Sequence, residues 1–199
     1  MAALENGKFG LAFSSGMGAT DAVMKTLRPG DEVITGNDLY GGSYRIFTKV
    51  FANYGIKFHF IDLTNPANIN QYLNQNTKMI WLETPTNPMM QVIDIESVAK
   101  ISKANHLTLV VDNTFASPYL QNPLDLGADV VMHSVTKYIA GHSDDRARPG
   151  PVLRRPGPQQ EHVVGADAGH GHLLVDCGAV VCVRLQPGFH RRQCLHRWF

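Results

Sequence analysis

Over its first 144 positions the chain alternates between short, dense apolar runs and stretches with helical spacing. "GLAFSS", "DEVITG", "IKFHFID", "TKMIWLE", "LTLVVDN" and "ADVVMHS" predict strands, several of them β-branched and apolar throughout, as strands buried on both faces are. Between them, "GMGATDAVMKTL", "GGSYRIFTKVFANYG", "PANINQYLNQN" and "DIESVAKISKANH" predict helices. Gly55 closes the second of these and Asp94 caps the last. Strand–helix alternation with short connections predicts an α/β fold, a mostly parallel sheet covered by helices. Ligands of such sheets sit beyond the carboxyl ends of the strands, so the residues just after each strand are the place to search for chemistry.

Composition changes this picture at one point. Residues 1–144 carry eight Lys and two Arg, whereas residues 145–199 carry eight Arg and no Lys. That second stretch also lacks Ile, Met, Asn, Ser, Thr and Tyr, and it holds all three cysteines, Cys177, Cys182 and Cys194. Their spacing matches no usual zinc or disulfide pattern, so no metal site is expected. A net charge of +1 gives no reason to expect nucleic acid or an anionic membrane as partner. Neither a basic leader nor a bilayer-length apolar run is present in the sequence, and a cytoplasmic setting is the expectation.

Each strand end carries something of interest. "SSGMGAT" after the first strand reads as a tight turn or as a cradle in which backbone N–H groups meet an oxyanion at a helix start. Tyr40 in "NDLYGG" could stack on a planar ring or pack at a helix start. Glu83 opens the proline-stiffened loop "TPTNP", which either is structural or holds Asn87 against a ligand. Asp112 ends a buried run, where it either caps the following "NTF" or meets a cation. Ser134, Thr136 and Lys137 follow the last strand; a lysine in that position, if desolvated, is a nucleophile toward carbonyls. An oxyanion cradle, a flat aromatic, a buried carboxyl and an amine are together what pyridoxal phosphate requires.

The stretches "LAFSSGMGAT", "DLYGG", "WLETPTNP", "VVDNTFASPYLQNPLDLGAD" and "MHSVTKYIAGHSD" resemble, in order, the Cys/Met-metabolism family of pyridoxal-phosphate enzymes. The resemblance implies the large domain of a fold-type-I enzyme, here incomplete, and transsulfuration chemistry of the cystathionine γ-synthase or γ-lyase type. Methionine γ-lyase, cystathionine β-lyase and O-acetylhomoserine sulfhydrylase are alternatives within the family, and an inactive fragment or pseudo-subunit is the alternative outside catalysis. By the same resemblance Lys137 is the lysine that condenses with the cofactor and moves protons on the substrate, and Asp112 is the partner of the pyridinium nitrogen. Gly16, Met17, Ser134 and Thr136 would hold the phosphate, Tyr40 would stack on the ring and assist proton transfer, and Glu83 and Asn87 would line the pocket. Small amino acids of the cystathionine and O-acylhomoserine class are the implied substrates, and a homodimer or tetramer the implied assembly.

The family pattern also includes an earlier arm with a Tyr-x-Arg pair, reaching a neighbouring subunit's phosphate, and a later domain whose arginine holds the substrate carboxylate. Neither is recognisable within these 199 residues. After "GHSD" the family continues with an apolar strand, whereas this chain reads "DRARPGP". One inserted base in a GC-rich frame is compatible with that change. Residues 1–144 are therefore expected to be a partial cofactor-binding domain, and residues 145–199 a frameshifted, disordered tail outside the family pattern.

Overall fold

A computed structural model of the chain describes residues 1–139, 141 and 179–183. Seven strands form one sheet: β1 (Phe9–Phe13), β2 (Glu32–Gly36), β3 (Lys57–Ile61), β4 (Thr77–Glu83), β5 (Thr108–Asp112), β6 (Val130–Ser134) and β7 (Ala179–Val183). Their order across the sheet is β1-β7-β6-β5-β4-β2-β3. All neighbours from β6 to β3 pair in parallel, and β7 runs antiparallel to both β1 and β6.

Successive side chains of a strand point to opposite faces, and both faces here are apolar. On one face Val33, Met79, Trp81, Val110, Met132 and Val181 pack beneath α1 (Gly16–Met24) and the helical stretch after β2. On the other Ile34, Ile80, Leu82, Leu109, Val111 and Val131 pack beneath α3 (Ile95–Ala104). Asp94 caps α3 as its position predicts, its Oδ1 accepting from the Ser97 N–H at 3.0 Å. Gly55, at φ 83°, ends the preceding helical stretch in a conformation that favours glycine.

Three expectations change. The single helix predicted after β2 is an α-helical turn, α2 (Gly41–Ile46), that widens into a π-helix at Phe47–Phe51. Phe47 and Phe51 are both buried, and Phe47 stacks on Phe58 at 4.8 Å and meets Trp81 edge-on at 5.5 Å. "PANINQYLNQN" yields only a 3-10 helix, Pro66–Gln71, because asparagine side chains bond the nearby backbone in turns.

The third correction concerns the tail. Ala179–Val183 are not disordered; they fill the slot between β1 and β6. "AVVCV" is short, apolar and β-branched, which suits a central strand, and Val181 is fully buried. The other residues of 145–199 lie outside the described residues.

Candidate functional site

The register of β7 brings two distant parts of the chain level. Phe13 of β1 and Ser134 of β6 are both opposite Ala179, one from each side. The chain then leaves β1 and enters α1 at Gly16, with the Ser15 hydroxyl accepting from the Gly18 N–H at 3.0 Å. A Cβ placed on Gly16 would lie 3.1 Å from the Ser134 Cβ and 3.2 Å from its Oγ. The missing side chain thus lets the helix start close against Ser134. The Ser134 and Thr136 hydroxyls are 3.0 Å apart. First-turn N–H groups have no acceptor within the helix and carry the positive end of its dipole. Two hydroxyls and a helix start therefore share one corner, which suits a phosphate.

Beside this corner stand two buried acids. Glu83 and Asp112 are opposite each other in the β4–β5 register, and alternation turns both toward the face that carries α1 and α2. Asp112 Oδ1 accepts from the Thr114 N–H at 3.0 Å and from its hydroxyl at 2.6 Å, so Asp112 does cap "NTF". Thr114 Oγ1 in turn accepts from the Ser134 N–H at 2.9 Å. Burial pushes the Asp112 carboxyl above the ordinary range; the bonds from Thr114 and the field of His133 oppose it. Burial first, and then Asp112, push Glu83 up to about 8, against the pull of the Tyr40 N–H, which donates to Glu83 Oε2 at 2.7 Å. A cation placed at Asp112 would favour the carboxylate again. The donor set fits a protonated ring nitrogen.

Tyr40 stands just ahead of α2, held by that same bond to Glu83, and is 41% exposed. Its ring lies over Gly42, where a Cβ would come within 2.3 Å of the Tyr40 Cε1 and 3.0 Å of the Met17 Sδ. Tyr40 and Met17 therefore converge above the acids' end of the sheet. Lys137 departs from the desolvated lysine expected of its position. It is exposed, in a turn that projects beyond β6, with its N–H on the Ser134 carbonyl at 3.1 Å. Asn87 is half-buried in the loop after β4, where the Thr84–Pro85 and Asn87–Pro88 peptides are cis and Met89 N–H donates to Asp38 at 3.0 Å. Neither the Lys137 amine nor the Asn87 amide joins the hydrogen bonds that link Thr114, Asp112 and Ser134.

Sequence reasoning passed over Thr114 and Gly42. Thr114 had a legible signal, a hydroxyl two residues beyond a strand-end Asp, the spacing of a side chain-to-backbone turn. Gly42 had none, since its importance is the ring folded over it.

A helix start against two hydroxyls, a buried carboxyl at a neighbouring strand end and a lysine one turn beyond make the carboxyl end of this α/β sheet the candidate site. The sequence pattern of the family described as "Cys/Met metabolism PLP-dependent enzyme" matches residues 1–169, running past the expected boundary at residue 144. Cystathionine gamma-lyase of Dictyostelium discoideum is 53% identical over 144 residues, 72% of this chain and 37% of that protein. A probable cystathionine gamma-synthase of Herpetosiphon aurantiacus is 49% identical over 144 residues, 72% of this chain and 45% of that protein. The solved structure of cystathionine gamma-lyase from Lactobacillus plantarum, complexed with L-serine, superposes with a TM-score of 0.75 and 36% identity over 92% of this chain and 40% of that one. The chain belongs to the Cys/Met-metabolism family of pyridoxal-phosphate-dependent enzymes. It spans less than half the length of the curated relatives it matches.

Proposed function

We propose that this chain is the cofactor-holding part of a transsulfuration enzyme, one that makes or breaks carbon–sulfur bonds in homoserine-derived amino acids as a cystathionine γ-synthase or γ-lyase does. The observation that carries the reading is the corner where α1 starts against Ser134, next to the buried Asp112 carboxyl. Gly16 and Met17 bind the phosphate through their N–H groups, and Ser134 and Thr136 through their hydroxyls. Asp112 would hold the proton on the ring nitrogen and Tyr40 would lie against the ring, its backbone fixed by Glu83. Asn87 would contact the ring hydroxyl or the substrate. When bound, pyridoxal phosphate supplies an electron sink for the carbons of the amino acid. Lys137 is the amine that would hold the cofactor through its aldehyde and would serve as the base at the substrate Cα and, for γ-chemistry, at Cβ. Its exposure on a projecting turn suits a flexible amine that serves two atoms in succession.

The substrates are small amino acids of the cystathionine and O-acylhomoserine class, the working assembly is a homodimer or tetramer, and the setting is the cytoplasm. Residues 1–144 form the cofactor domain, and a shifted reading frame is the origin proposed for the sequence after them. The second reading is an inactive fragment that associates with intact subunits. Purification of the chain alone as an active tetramer would exclude that reading.

The test is to incubate the chain with pyridoxal phosphate, reduce with borohydride and map the labelled peptide. Label is expected on Lys137 and absent from Lys137→Ala; label on another lysine with Lys137 unmodified overturns the assignment. Assays of oxobutyrate and pyruvate from O-succinylhomoserine, O-acetylhomoserine, cystathionine and methionine then separate replacement from elimination.

A further inference from the structure

Behind the strand ends that carry Asp112 and Ser134 lies a second polar cluster. Asn113 is one residue beyond Asp112 and His133 one residue before Ser134, so alternation turns both toward the opposite face of the sheet. Glu5, from the segment that precedes β1, reaches between them. All three residues are fully buried. Glu5 Oε1 accepts from Asn113 Nδ2 at 2.9 Å and lies 2.6 Å from His133 Nε2. Glu5 Oε2 is 3.5 Å from Asn122 Nδ2, which also donates to the Leu4 carbonyl at 2.7 Å. Asn113 Oδ1 accepts from Gln121 Nε2 at 2.8 Å, and the same Nε2 is 2.8 Å from the Thr84 carbonyl. An acid removed from water this completely is costly unless donors meet it, so Glu5 and its donors hold one another in place.

The arrangement matters because the β5–β6 register ends at Asp112 opposite Met132. Beyond that point the two strand ends are joined on the pocket side by Thr114, which contacts both Asp112 and the Ser134 N–H. Glu5 makes the corresponding link on the reverse side. We propose that Glu5 is a positioning residue for the cofactor pocket. By bridging Asn113 and His133 it fixes the spacing between the Asp112 carboxyl and the Ser134 hydroxyl, and it couples docking of the segment 1–8 to occupancy of the pocket. Coupling of this kind is reciprocal: whatever the docked segment does for cofactor affinity, the cofactor does for docking. The inference rests on the reading of the pocket as a pyridoxal-phosphate site.

The experiment titrates the full chain, Glu5→Gln and Glu5→Ala with pyridoxal phosphate, following its visible absorption. Hydrogen exchange at the Leu4, Glu5 and Gly7 amides is measured with and without the cofactor. Gln keeps an oxygen for Asn113 and His133, so Glu5→Gln is expected within about threefold of the original affinity, and Glu5→Ala about tenfold or more weaker. The absorption band of bound cofactor shifts in Glu5→Ala, because Asp112 is no longer set against the ring nitrogen, and returns in Glu5→Gln. Exchange at the three amides slows when cofactor binds the original chain; if Glu5→Ala does not fold, this measurement decides. Unchanged affinity and spectrum in a folded Glu5→Ala, or unchanged exchange on saturation, overturns the proposal while leaving the pocket assignment intact. Failure of the original chain to bind pyridoxal phosphate at all overturns the pocket reading and this inference with it.

Discussion

Glu83→Gln tests whether the acid at the end of β4 is carried neutral in the folded chain. Glu83 is 5% exposed, and burial followed by the field of Asp112 lifts it from 4.5 to about 8. An acid whose folded value is raised holds more protons in the folded than in the unfolded state between the two values. Its contribution is therefore fully present below about pH 4.5 and is lost as pH rises toward about 8. One proton corresponds to about 1.4 kcal/mol of stability per pH unit, so the chain is expected to lose stability on the order of 2–3 kcal/mol between about pH 5.5 and 7.5. Asp112 is raised in the same direction by its own burial, and the two acids titrate as a pair. Gln has the same shape, can still accept from the Tyr40 N–H, and cannot ionise. The assay is urea unfolding at about pH 5.5, 6.5 and 7.5, read from the fluorescence of the buried Trp81. The variant's stability should fall less steeply over that range than the original chain's, the remaining slope coming from Asp112. Parallel pH dependences in the two would refute the reasoning.

Gly16→Val adds a branched side chain where even a Cβ comes within 3.1 Å of Ser134, and should weaken pyridoxal phosphate binding about tenfold, with folding retained by circular dichroism. Gly42→Ala would place a methyl 2.3 Å from the Tyr40 ring and push it aside; the change is expected in the spectrum of bound cofactor more than in stability. Asp94→Ala removes the cap of α3 and should cost about 1 kcal/mol in urea unfolding without affecting cofactor binding. Val181→Asp places a charge in the fully buried centre of β7 and should destabilise the chain by about 3 kcal/mol, whereas an unchanged unfolding midpoint would show that this strand does not hold β1 in the sheet.

Much of the fold was legible because local pattern and global structure agree. The dense runs at β2, β4, β5 and β6 are what a strand buried on both faces must be, and Asp94 and Gly55 mark helix ends by their own chemistry. The position of the candidate site came from the rule that parallel sheets bind at their carboxyl ends, which made Asp112, Ser134 and the turn at Gly16 candidates before any contact was known. Tertiary structure alone decided the rest. "AVVCV" carries no sign of its place; only the unfilled ladder between β1 and β6 makes it a central strand and brings Phe13 level with Ser134. The π-helix at Phe47–Phe51, with both aromatics buried in one core, has no local signal in the sequence. Glu5 is an ordinary polar residue in the sequence, and becomes a buried bridge only because Asn113 and His133, 108 and 128 residues away, meet it on the far face of the sheet. A sequence states what each residue prefers; which distant residues satisfy a buried charge is decided by where the folded chain brings them together.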